Sequence, residues 1–169
     1  MSGRRSFVTV FTKFRAFVVI AAVVLIPFVA QQAVAAESCS QRQSKATGVT
    51  KEIYVSFQVA ANGSFTTAIC SGAMDIDGWI EEVVFIPGTT AYEATTDIQI
   101  LDANGVDKLG GGGANLSATD ADARRPLDSN GLTVLSPIFG PFQLAISGNT
   151  TGDATGVIKM SVISFKGNR

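Results

Sequence analysis

Four carboxylates surround the only tryptophan of the chain: Asp75, Asp77, Glu81 and Glu82 flank Trp79. Two carboxyl groups beside an aromatic ring are the equipment of a glycoside hydrolase, one serving as acid and the other as nucleophile or base. The same residues also make an Asp-rich turn followed by the start of a strand. A domain of this size rarely builds the cleft that such hydrolysis needs. The stretch Asp102-x-Asn104-Gly105-x-Asp107 has the beginning of a calcium loop but lacks the later ligands and the terminal Glu. A β-turn with Asn-Gly in left-handed geometry accounts for it without a metal.

Two more constellations invite chemistry. Arg124-Arg125-Pro126 holds the only adjacent pair of basic residues after residue 36, which suits a contact point for a ligand or partner or a protease site, with a solvated loop as the simpler expectation. Gly110–Gly113 has the look of a phosphate cradle, but neither phosphate-binding glycine pattern is completed around it. A closely packed or mobile loop is the simpler expectation. The strongest exclusion is compositional. The chain has no histidine, which removes Ser-His-Asp triads, Cys-His pairs, histidine zinc sites and histidine bases. No catalytic site and no cofactor are expected.

These residues must be positioned by strands. From Val49 to Val59 apolar and polar residues alternate, the period of a half-buried strand. Ala61-Asn62-Gly63-Ser64 signals a hairpin, with Phe65 to Cys70 as the return strand. Trp79 to Ile86 is apolar on both faces apart from its two glutamates and reads as a central strand ended by Pro87-Gly88. Ile98–Leu101, Leu132–Ile138, Phe142–Ser147 and Val157–Phe165 complete the set. Ala114–Ser129 is one long irregular loop with room for a helical turn near Ala118–Ala123. About seven short strands with turns every 8–12 residues predict an all-β domain, an antiparallel β-sandwich or jelly roll.

The beginning of the chain reads differently. Arg4, Arg5, Lys13 and Arg15 precede an unbroken apolar run from Ala16 to Ala30, and Ala33-Val34-Ala35-Ala36 follows. A basic start, a short apolar core and a small-residue site are the parts of a cleaved secretory signal, and the core is short for a membrane span. The expected organisation is a signal peptide at 1–36, a flexible lead-in at 37–48 and one β-sandwich domain at 49–169. The exported part keeps nine basic residues against 14 acidic ones, a net charge of −5. That balance argues against nucleic acid, and after signal cleavage no membrane association is expected. Cys39 and Cys70 both follow the leader, so one structural disulfide is expected. The destination is the periplasm or the medium.

The segments "IQILDANGVDKLGGGGANLS" and "GPFQLAISGNTTGDATGVIKMSVISF" carry a resemblance. Leu101-Asp102, Asn104-Gly105, Asp107 to Gly111, Ala114-Asn115, Gly140-Pro141 and a final strand from Val157 to Phe165 resemble the small β-rich structural proteins of tailed bacteriophages and prophages. The resemblance spans about 90 residues and implies a virion-associated, non-catalytic role. The signal peptide is where this chain departs from that group.

Two functions follow as expectations. The first is an exported structural or interaction domain that meets a protein partner or a second copy of itself. The second is a ligand-binding module, with a glycan as the natural ligand and Tyr54, Trp79, Tyr92, Arg124, Arg125 and the loop Ala114–Ser129 as its contact residues.

Overall fold

Alternation decides which residues face inward. The computed structural model describes residues 36–43 and 49–165, and the proposed leader lies outside them. Among the described residues nine strands are formed. They are β1 (Ser38–Gln43), β2 (Thr50–Gln58), β3 (Ala68–Ile69), β4 (Ile76–Pro87) and β5 (Asp97–Leu101), followed by β6 (Asp122–Arg124), β7 (Ser136–Gly140), β8 (Gln143–Ser147) and β9 (Thr155–Ser164). Every ladder between them is antiparallel.

The strands form two sheets. The larger runs β1-β2-β9-β4, and β6 and β7 share the far edge of β4. The smaller runs β3-β8-β5. Ile53, Val55 and Phe57 of β2, Ile158, Met160 and Val162 of β9, and Ile80, Val83 and Phe85 of β4 are buried together with Ile98, Ile100, Leu144 and Ile146 of the smaller sheet. Each such side chain contributes about 1.5–3 kcal/mol by leaving water. The arrangement is an all-β, antiparallel, sandwich-like domain, as the strand pattern predicted.

β4 is central, with β9 on one side and β6 and β7 on the other. Its pairing with β9 slips between Ile80 and Glu82, leaving Glu81 as an extra residue. A bulge of this kind reverses the facing of all later residues. Ile76, Gly78 and Ile80 point inward before it, Val83 and Phe85 after it. That switch is why the strand looks apolar on both faces in sequence.

The expected boundaries need correction in three places. Residues 38–43, expected to be part of a flexible lead-in, form edge strand β1, registered on β2 from Ser38↔Gln58 to Gln43↔Ile53. They are polar because an edge strand buries little. The cystine ties this edge to the second sheet's side of the molecule: Cys39 is bonded to Cys70, with Cα atoms 4.8 Å apart. Next, the turn at Ala61–Ser64 does not return the chain onto β2. It carries it across to the other sheet, where Ala68 and Ile69 pair with β8. Finally, no helical turn forms near Ala118–Ala123. Asp122–Arg124 add to β4 as a strand instead.

Loops cover the exposed sheet edges, which would otherwise invite pairing with other chains. Ile98 N–H donates to the Gly113 carbonyl at 2.9 Å and Lys108 N–H to the Ile100 carbonyl at 2.7 Å, shielding β5. A Cβ at Gly113 would collide with the Ile98 carbonyl, so the glycine run is a packed edge cover. On β1, Gln41 N–H donates to the Ser71 carbonyl at 2.7 Å.

Candidate functional site

The outer face of the larger sheet carries an aromatic cluster at one end. Trp79 points outward from β4 because its neighbours Gly78 and Ile80 point in. Its ladder partners are Ile163 of β9 and Pro137 of β7. Phe165 follows β9 and meets Trp79 edge to face, with centroids 5.3 Å apart and planes at 76°. Phe139, opposite Asp77, stacks on Phe165 at 5.6 Å and 15°. Phe139 is 60% exposed and Phe165 44%. These rings do not lie in one plane, so they form a ridge rather than a flat shelf.

The exposed apolar residues continue along the chain into β7. Leu132, Val134 and Leu135 are all exposed, Leu132 at 64%. Leu132 and Val134 belong to a small hairpin over 126–134, and Leu135 follows it. Val134 N–H donates to the Pro126 carbonyl, Asp128 N–H to the Leu132 carbonyl, and Asp128 Oδ1 accepts from Asn130 and Leu132 N–H at the tip.

This hairpin leaves β4 at the point where its edge is interrupted. β7 pairs with Ile76–Ile80 and β6 with Val83–Phe85, so neither ladder covers Glu81 and Glu82. Two grooves open there. The smaller, about 170 Å³, lies among Glu81, Arg125, Thr133, Val134 and Leu135. The larger, about 330 Å³, involves Glu82, Gly112, Arg124, Arg125, Leu127 and Thr133. Arg124 is held by Asp122, Nη2 to Oδ2 at 2.6 Å, and Asp122 also accepts from Ser117 N–H. Its Nε–H is buried and has no partner among the described residues.

The five expected contact residues are not brought together. Trp79 belongs to the aromatic ridge. Tyr54 shares its sheet face but lies opposite Lys159, four residues along β9 from Ile163. Its hydroxyl donates to Glu52 Oε2 at 3.0 Å, Arg42 sits 4.7 Å from its ring centroid, and Lys159 pairs with Glu52 Oε1 at 2.6 Å. Tyr54 is thus one member of a surface charge network. Tyr92 is a correction: it is 2% exposed and packs against Phe57 in the core, centroids 6.3 Å apart. A ligand does not reach it. Burial, with the nearby Asp122 charge second, pushes its hydroxyl up to about 12.

The calcium candidates are committed elsewhere. Asp102 Oδ1 accepts from Asn104 and Val106 N–H at 2.9 and 3.0 Å, while its Oδ2 pairs with Lys108 Nζ at 2.9 Å. The lysine contact, then the amides, hold this carboxyl below the usual range. Asp107 accepts from Leu109 and Gly111 N–H. The carboxylates cap turns, the ammonium of Lys108 supplies the positive charge, and the described residues contain no group of metal-ligating side chains.

Phe139, Phe165 and the hairpin leucines were not among the residues singled out from sequence. The sequence signs near them were the expected strands Leu132–Ile138, which stops one residue before Phe139, and Val157–Phe165, which ends on Phe165. No protein family matches this chain, and neither the curated proteins nor the solved structures contain a similar one. Among the described residues, no helix is long and apolar enough to cross a membrane.

Proposed function

We propose that this protein is an exported, non-catalytic interaction domain that docks onto a protein partner through the outer face of its larger sheet. The observation that carries the reading is the ridge of exposed Phe165 and Phe139 against half-buried Trp79, followed along the chain by exposed Leu135, Val134 and Leu132. Folded domains rarely leave grouped large apolar side chains in water unless a partner covers them. Aromatic residues are also the usual anchors of protein interfaces.

Other features support it. The chain has no histidine to serve as a general base. The Cys39–Cys70 bond fits an oxidising compartment outside the cytoplasm, and the basic and apolar leader supplies the route there.

The test is sedimentation of the native protein from culture, following its intact mass across the gradient. The wild type is expected to travel with large particles or envelope. Replacing Trp79, Phe139 and Phe165 together by Ala should return it to the free monomer fraction. A wild type that already sediments as a free monomer overturns the docking reading.

A further inference from the structure

We infer that Asn130, at the tip of the 126–134 hairpin, is a site of self-modification that loses its side-chain ammonia to Gly131, ahead of the Asn-Gly pairs at 62–63 and 104–105. The carboxylate so formed weakens docking through the neighbouring Leu132 and Val134. The chemical step stands on its own, and its effect on docking rests on the proposed docking face.

The step needs only water. The Gly131 backbone nitrogen, deprotonated by hydroxide, attacks Cγ of Asn130. The carbon–nitrogen bond of the carboxamide breaks, and ammonia leaves with a proton taken from water. A succinimide ring then joins side chain and main chain. Its hydrolysis gives aspartate, or isoaspartate with the backbone running through the former side chain. Glycine favours the attack because no Cβ crowds its nitrogen. The product places a negative charge two residues from Leu132, and a charge at an apolar contact has to lose its water on docking.

The three Asn-Gly pairs share that chemistry, and the fold ranks them. Asn62 is held, because its Oδ1 accepts from Ser64 N–H at 3.0 Å and from Ser64 Oγ–H at 2.6 Å. Gly63 beside it lies so close to Thr150 that a Cβ would meet that backbone at 2.7 Å. The other two pairs sit in one repeated motif, Asp102-x-Asn104-Gly105-Val106 and Asp128-x-Asn130-Gly131-Leu132. In each, Asp Oδ1 accepts from the amides two and four residues on. The glycine N–H donates to the Asp carbonyl, at 2.9 Å for Gly105 and 3.0 Å for Gly131. Attack requires this last bond to open, so the turn that opens more readily reacts first. Asp102 is fastened by Lys108 Nζ at 2.9 Å, and Lys108 N–H ties the same turn to β5. Asp128 makes no ion pair among the described residues, and its tip from Ser129 to Leu132 is exposed. A Cβ at Gly131 would meet nothing within 4 Å, so no neighbour resists the rearrangement.

The experiment is incubation of the native protein at mildly alkaline pH, with peptide mapping by mass spectrometry over days. Asn130 is expected to deamidate several-fold faster than Asn104, with Asn62 unchanged and the rate proportional to hydroxide. In urea-unfolded protein the three should react at similar rates, because the ranking comes from the fold. Lys108→Met should raise Asn104 to the rate of Asn130, and Asn130→Gln should silence the site. If Lys108→Met lowers stability, the urea comparison carries the ranking. Equal native rates at all three, or Asn104 or Asn62 reacting first, overturn the proposed site. Wild type and Asn130→Gln, aged alike, are then sedimented. Aged wild type is expected to leave the particle fraction several-fold more than the aged variant. Equal retention overturns the effect on docking, while the mass map alone decides the site. A fresh wild type that never docks removes the docking face and leaves that map as the judge.

Discussion

Trp79 and Phe165 meet edge to face on the outside of the larger sheet, 5.3 Å between centroids, although 86 residues separate them in sequence. The contact exists because β9 lies directly beside β4, with Trp79 opposite Ile163 and Gly78 opposite Ser164. The first residue after β9 therefore falls next to the tryptophan.

That contact is measurable apart from any partner. An edge-to-face pair contributes about 1 kcal/mol beyond its buried area. A double-mutant cycle of Trp79→Ala and Phe165→Ala in urea unfolding should return a coupling near that value. A coupling within about 0.3 kcal/mol of zero means the rings do not meet in solution.

The disulfide holds a strand with little burial of its own. Most of β1 is exposed, with Gln41 its one buried residue. The cystine closes a segment with a sequence separation of 31, and the chain-entropy argument gives about 3–4 kcal/mol for it. Cys39→Ser with Cys70→Ser should lower the urea midpoint accordingly. Amide exchange should accelerate first in β1 and only later in β4 and β9. Uniform loss of protection across all strands would contradict the view of β1 as a stapled edge.

Alkali should unfold the protein through Tyr92. Its hydroxyl is raised from 10.0 to about 12 by burial and by Asp122. The folded state therefore keeps a proton that the unfolded chain releases, and stability falls as pH rises between those values. Lys159, raised above 10.5 mainly by its bond to Glu52, pulls in the same direction. Tyr92→Phe should remove about 1.4 kcal/mol of the loss at pH 11. At pH 7 it should cost little, because the buried hydroxyl has no partner to lose among the described residues. Unfolding curves at pH 7 and 11 check both statements. An unchanged alkaline slope in the variant removes Tyr92 from the account.

Much of this architecture follows from local pattern. The strict alternation of Val49–Val59 and of the last strand fixed which residues of β2 and β9 are buried, because a one-residue slip would expose the whole apolar set. Asn-Gly turns at 62–63 and 104–105 could be read because their glycines take positive φ, +80° and +77°. Two cysteines, both placed after the proposed leader, implied the bond that is found. The rest depended on contacts between distant segments. β1 is invisible in sequence because its stability comes from β2 and the cystine rather than from its own apolar content. Tyr92 sits in a Thr-rich loop with no periodicity, so nothing local reports its burial against Phe57. Phe139 and Phe165 look like ordinary strand residues. They become a ridge only because β7 and β9 lie on opposite sides of β4, and a sequence does not record which strands become neighbours.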